Sequence, residues 1–154
     1  MGEVMRETGE EGTERRALPW YRKRVDSLLR IADEARERMH AVARVRRLPR
    51  RAQVLNAFDG AATVFWIEDG RVRLSRFEAD GSETAVAILE RGEVFGIDTS
   101  VGPGEVRAAT AEALETSTVL AFEPSDLRAL QRDEHLRDVV SALAPPSTST
   151  GAAA

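Results

Sequence analysis

The sequence predicts a mainly β fold of sandwich or barrel type, with helices flanking it at both ends. Two observations carry this. Between residues 51 and 122, short apolar runs rich in β-branched and aromatic residues alternate with Gly, Asp and Asn at roughly ten-residue intervals. On either side of that region the apolar period changes from two to three or four, the spacing of a helix face. The chain has 154 residues, enough for one domain with a core of its own.

The elements follow in order. Residues 1–17 and 145–154 carry almost no large apolar side chain and are expected to be disordered tails, because they bury too little to offset the entropy of ordering. Residues 18–42 read as a helix: Val25, Leu28, Leu29, Ala32, Ala35, Met39 and Val42 recur at steps of three and four, and Pro19 sits near the start, where a proline is tolerated. Residues 43–123 read as strands, with the break from helix to strand near Ala41 to Arg44. Val54-Leu55 and Thr63 to Ile67 are apolar runs, and Glu68-Asp69-Gly70 signals a hairpin. Alternation in this run directs Phe65 and Ile67 inward and Trp66 the other way. From Arg71 to Phe77 polar and apolar residues alternate, which puts Val72, Leu74 and Phe77 on or near the inner face. Asp80-Gly81 and Arg91-Gly92 are further turns, separating a strand at Thr84 to Leu89 from a short one at Val94-Phe95. Arg107 to Leu114 and Thr118 to Phe122 supply the last strands. Residues 124–144 read as two short helices, Leu127 to Arg132 and one presenting Leu136, Val139, Val140 and Leu143, stopped by Pro145-Pro146.

Composition excludes several functions. The net charge is −4 with both signs interspersed, against a surface built for non-specific nucleic-acid binding. The local exception is Arg44, Arg46, Arg47, Arg50 and Arg51, read as a solvated strand edge, with a phosphate- or partner-binding patch as the sharper alternative. There is no cysteine, hence no disulfide, thiolate zinc site or thiol nucleophile. No stretch reaches the ~20 apolar residues that span a bilayer, and no secretory leader follows the N-terminus; a cytoplasmic location is expected. His40 and His135 are the two histidines. They read as surface or helix-capping residues, and no metal is expected. No Gly-x-Ser-x-Gly elbow or phosphate-binding Gly-Lys-Ser/Thr loop is present, and the expectation is that this is not an enzyme.

The stretch IEDGRVRLSRFEADGSETAVAILERGEVFG, Ile67 to Gly96, and its continuation from Val106 to Leu130 resemble the cyclic nucleotide-binding domain of the catabolite-activator and fumarate–nitrate-regulator superfamily. Gly70, Gly81, Gly92 and Gly96 fall where that family places turn glycines. The resemblance implies a double-stranded, jelly-roll-like β-roll. It also implies a ligand cassette running from Phe95-Gly96-Ile97-Asp98 to Val106-Arg107-Ala108-Ala109, with a cyclic nucleotide (cyclic AMP or cyclic GMP) as its ligand. Such an anion needs a fixed cation and several N–H donors, because burying it without them is costly. Arg107 would be the cation. The amides of Ala108, Ala109 and a turn after Gly96 would be the donors, and Gly96 would permit the backbone turn.

This chain departs from the family pattern in three places. Ile97 stands where the family has an acid that accepts the ribose 2′-hydroxyl. That loss is worth ~1.5–3 kcal/mol, about ten- to a hundredfold in affinity, unless neighbouring Asp98 supplies the carboxylate. Gly102-Pro103-Gly104 is expected to turn the family's short helix into a loop. Ala52 and Phe58 replace two upstream glycines. Three functions follow: a sensor module binding a cyclic nucleotide or similar phosphate; a ligand-free roll acting as a protein-interaction or homodimerising adaptor; or a regulator working through a partner that reads DNA. Neither direct DNA binding nor membrane association is expected.

Overall fold

A computed structural model of the chain describes residues 18–54 and 62–145. The two tails apart from Pro145, and the positions Leu55 and Phe58, lie outside them. The strands are β1 (Trp20–Arg24), β2 (Arg44–Leu48), β3 (Val64–Asp69), β4 (Arg71–Phe77), β5 (Glu83–Glu90), β6 (Glu93–Ile97), β7 (Ala109–Ala113) and β8 (Ser117–Phe122). A 3-10 helix, Asp26–Arg30, follows β1. The α-helices are α1 (Asp33–Val42), α2 (Pro103–Arg107), α3 (Pro124–Gln131) and α4 (Arg137–Leu143). The strands form a five-stranded sheet, β1-β6-β3-β8-β2, facing a three-stranded sheet, β5-β4-β7. Every pairing is antiparallel.

Two apolar layers hold this arrangement. Phe65, Ile67, Phe95, Val119 and Ala121 meet Val72, Leu74, Leu89, Ala111 and Ala113 inside the roll. On the other face of the five-stranded sheet, Val64, Trp66, Val94, Leu120 and Phe122 meet Met39, Leu127, Leu130, Leu136, Val140 and Leu143 of the helices. A sheet covered on both faces needs apolar residues at both parities, which is why β3 reads Val-Phe-Trp-Ile without alternation. Phe65 and Ile67 do face the interior, as their parity suggested.

Two expectations are corrected. Residues 20–24 are strand, not helix. The alternating Trp20-Tyr21-Arg22-Lys23-Arg24 suits the free edge of β6, and pairing there overrides the helical spacing downstream. The Trp20 indole N–H anchors the strand by donating to the Ser75 carbonyl at 2.9 Å. The helix proper begins only at Asp33. Second, Phe77 is exposed, while Arg76 keeps the inward parity of Val72 and Leu74. The sheet does not twist Phe77 in, because β4 stays in unbroken register with β7 as far as Arg76.

Candidate functional site

The cassette runs from β6 through a turn and α2 into β7. Phe95 anchors its start, fully buried, stacked on Phe65 at 5.0 Å and edge-on to Trp20 at 5.8 Å. Ile97 follows on the same inward parity, half-buried against the interior core.

Gly96 lies within β6 and its backbone is not left-handed, so its role is not the turn expected of it. A β-carbon there would collide with the Tyr21 phenol, its Cζ at 2.6 Å. Glycine leaves room for the ring of Tyr21, its register partner on β1, to lie over this position.

Asp98 turns one carboxylate oxygen back onto its own loop. Its Oδ1 accepts from the Ser100 amide at 3.0 Å and the Ser100 hydroxyl at 2.6 Å, an Asx turn that engages that one oxygen locally. The segment Gly102-Pro103-Gly104 is a second correction: it opens α2 rather than a loop. Gly102 is the N-cap and Pro103 takes the first turn, where a missing N–H removes no hydrogen bond.

Arg107 closes α2 as its last residue and is exposed. It was expected at the head of a strand, over the cassette. Val106 and Glu105 take the half-buried positions of this single turn, and Arg107 is left on the solvent side. Its side chain has no hydrogen bond or ion pair among the described residues. The Ala108 amide is spent inside the helix, on the Gly104 and Glu105 carbonyls. Ala108 and Ala109 are half-buried and lead into β7.

Sequence reasoning missed two residues. Arg76 pairs in register with Ala109 at the start of β7, so a guanidinium lies on the interior face beside the end of the cassette. Its side chain is only 10% exposed. Its Nε and Nη2 both reach one oxygen of Glu78 at a long 3.3 Å. Strict parity from Val72 through Leu74 would have found it. The second is Tyr21, whose hydroxyl is buried without a hydrogen-bond partner.

Burial first, and the Asp98 charge second, push the Tyr21 phenol well above the ordinary tyrosine range. The folded chain therefore keeps a proton that the unfolded chain releases near pH ~10. That stability is complete below pH ~10 and is lost as pH rises toward the folded value. Tyr21→Phe is expected to raise stability by about 1 kcal/mol at pH 7, since it deletes an orphaned polar group. It should also flatten the alkaline loss. Urea midpoints at pH 7 and above pH ~10 check both; a lower midpoint at pH 7 refutes the first.

Outside the cassette, His40 Nε2 lies 2.8 Å from Glu68 Oε2, and Arg36 lies 3.5 Å from the same oxygen. His135 is exposed, next to Asp133. Among the described residues no group of His, Asp and Glu has the arrangement of a metal site. No helix among them is long and apolar enough to cross a membrane.

A family profile described as the cyclic nucleotide-binding domain matches residues 45–134, more than half of the chain. The cyclic AMP receptor protein of Thermus thermophilus is 36% identical over 74 residues, 48% of this chain and 34% of that protein. The crystal structure of Thermus thermophilus catabolite activator protein superposes with a TM-score of 0.52 at 26% identity, covering 73% of this chain and 52% of that one. The haem domain of CooA from Carboxydothermus hydrogenoformans shares the fold, with a TM-score of 0.51 at 20% identity over 69% and 70% of the two chains. This chain thus spans about a third of the curated relative and half of the Thermus structure.

Proposed function

Since this chain belongs to the cyclic nucleotide-binding domain family of the catabolite-activator and fumarate–nitrate-regulator superfamily, we propose that it is a sensor module taking a cyclic nucleotide or similar phosphate inside the roll, at the cassette from Phe95 to Ala109. The matched proteins are regulators and ligand-binding domains, not enzymes.

The observation that carries this reading is the inward Arg76. A guanidinium almost enclosed by protein is costly unless fully hydrogen-bonded, and two 3.3 Å contacts to one Glu78 oxygen are long for a charge-assisted pair. A phosphate offers that planar fork a better partner. Arg107, unpaired and one residue before Ala108, supplies a second cation by swinging over the ligand from the solvent side.

Ile97 shapes the selectivity. With an alkyl group at the place of the acid, and Asp98 Oδ1 tied to Ser100, a ribose 2′-hydroxyl loses the carboxylate that the family places there. Cyclic AMP and its 2′-deoxy analogue are therefore expected to bind with equal affinity. Calorimetry with cyclic AMP, cyclic GMP and the deoxy analogue, on wild type, Arg76→Leu and Arg107→Ala, tests the reading. Each substitution should weaken binding by about tenfold or more, from the loss of one charge-assisted contact.

The second reading, a ligand-free protein-interaction adaptor, is favoured by the outward Arg107. Silence of the wild type toward every nucleotide would establish it over the first.

A further inference from the structure

A second cationic feature lies on the opposite face of the three-stranded sheet. Arg73 and Glu112 are register partners on β4 and β7, at the parity that points away from Leu74, Arg76 and the roll interior. With Arg50, Arg51, Ala113 and Leu114 they line a cavity of about 270 Å³. Three guanidiniums face one carboxylate, an excess of two positive charges.

That carboxylate is already engaged: Glu112 Oε1 lies 2.5 Å from Arg73 Nη2. The Arg73 Nε–H is buried with no partner. Arg50 and Arg51 have no side-chain hydrogen bond or ion pair among the described residues. Their backbone, by contrast, is fixed. The Arg51 amide donates to the Ala113 carbonyl at 2.7 Å, Ala52 N–H to Pro49 at 3.0 Å and Ala113 N–H to Ala52 at 2.9 Å. Within this turn Arg51 adopts a left-handed φ of 76°, the one non-glycine residue to do so among those described. An arginine there is strained where glycine would not be.

We propose that this cavity is a receptor for the phosphate dianion of a small phosphomonoester, separate from the ligand site inside the roll. Two unpaired guanidiniums on a rigid turn and an orphaned N–H beside them supply the fixed, convergent donors that a doubly charged phosphate requires. The charge excess matches the dianion. The strain at Arg51 is retained because glycine would remove one of its cations.

The test uses the full chain, glycerol 3-phosphate and sulfate, with backbone amide shifts of Arg51 and Ala113 as the local readout. At pH 7.5 both anions should move these amides. At pH 5.5 the phosphomonoester should bind more weakly, because its second proton returns near pH ~6, while sulfate keeps its affinity. Arg50→Gln and Arg51→Gly should each weaken binding about tenfold. Arg51→Gly should also melt at or above the wild-type temperature, so the loss cannot be ascribed to unfolding. Glu112→Gln should tighten binding, and Arg76→Leu and Arg107→Ala should leave it unchanged, which separates this site from the cassette. Wild-type affinity in Arg51→Gly overturns the proposal, as does a parallel loss of sulfate at pH 5.5. So does a random-sequence DNA duplex that engages Arg50 and Arg51 while the phosphomonoester leaves the amides unmoved.

Discussion

Phe95→Ala is expected to destabilise the chain by about 3–5 kcal/mol, the range for deleting a fully buried phenyl ring from a core that cannot collapse around the gap. Phe95 has no solvent exposure. It stacks on Phe65 and meets the edge of Trp20, contacts that add about 0.5–1.5 kcal/mol beyond burial alone. Because β6 lies between β1 and β3, the cavity would open where three strands meet, directly before the cassette. Set against a typical domain stability of about 5–15 kcal/mol, this is a large fraction. The fluorescence of Trp20 and Trp66, both buried, would follow urea unfolding. Phe95→Leu should cost much less, since it keeps most of the volume. A midpoint for Phe95→Ala within about 1 kcal/mol of wild type would mean the interior repacks freely, contrary to the two-sheet core described above.

Gly70→Ala should cost about 3 kcal/mol or more, for two separable reasons. Gly70 makes the turn that carries the chain from β3 in one sheet to β4 in the other, with φ +99°, and a left-handed backbone costs an L-residue roughly 1–2 kcal/mol. In addition, a β-carbon there would stand 2.7 Å from the Ser117 Cα and 2.5 Å from its Cβ. Backbone of a central strand cannot step aside cheaply, and overpacking of this kind costs typically 1–3 kcal/mol. Ser117 is also tied down: its hydroxyl accepts from the Arg71 amide at 3.2 Å and donates to the Glu115 carbonyl at 2.7 Å. Gly81→Ala is the matched control. It has a similar φ of +91° but nothing within contact of its β-carbon, so it should show the backbone cost alone. Equal midpoints for the two variants would show that the Ser117 contact costs nothing.

Much of the strand region was legible because its cues are local. Asp69-Gly70, Asp80-Gly81 and Arg91-Gly92 announce turns by dipeptide chemistry, and all three glycines hold a positive φ; Asp80-Gly81 closes the β4–β5 hairpin, whereas the other two carry the chain between the sheets, which corrects the hairpin expected at Gly70. The cassette was legible only as a pattern. The order of Phe95, Gly96, Arg107, Ala108 and Ala109 was readable in the chain, but their facing was not. Whether a strand-like or helix-like use of residues 20–24 prevails depends on a free edge of β6 over seventy residues away. No local cue reports that edge. Likewise, Gly102-Pro103-Gly104 has the composition of a loop, yet a proline at a helix start is nearly neutral, and packing settled the matter in favour of α2.

The sequence by itself determined the class: apolar residues at period two, punctuated by glycines, can bury their faces only as a closed pair of sheets, and the helical periods at the ends can bury theirs only on the outside. The tertiary structure alone decided which charges face inward. Arg76 and Arg107 are both arginines bordered by small or apolar neighbours in sequence. One follows the parity of β4 into the roll, and the other ends a single helical turn in water. Chain order sets what can be local; the solvent exposure of a cation depends on residues far along the chain, brought together by strand pairing.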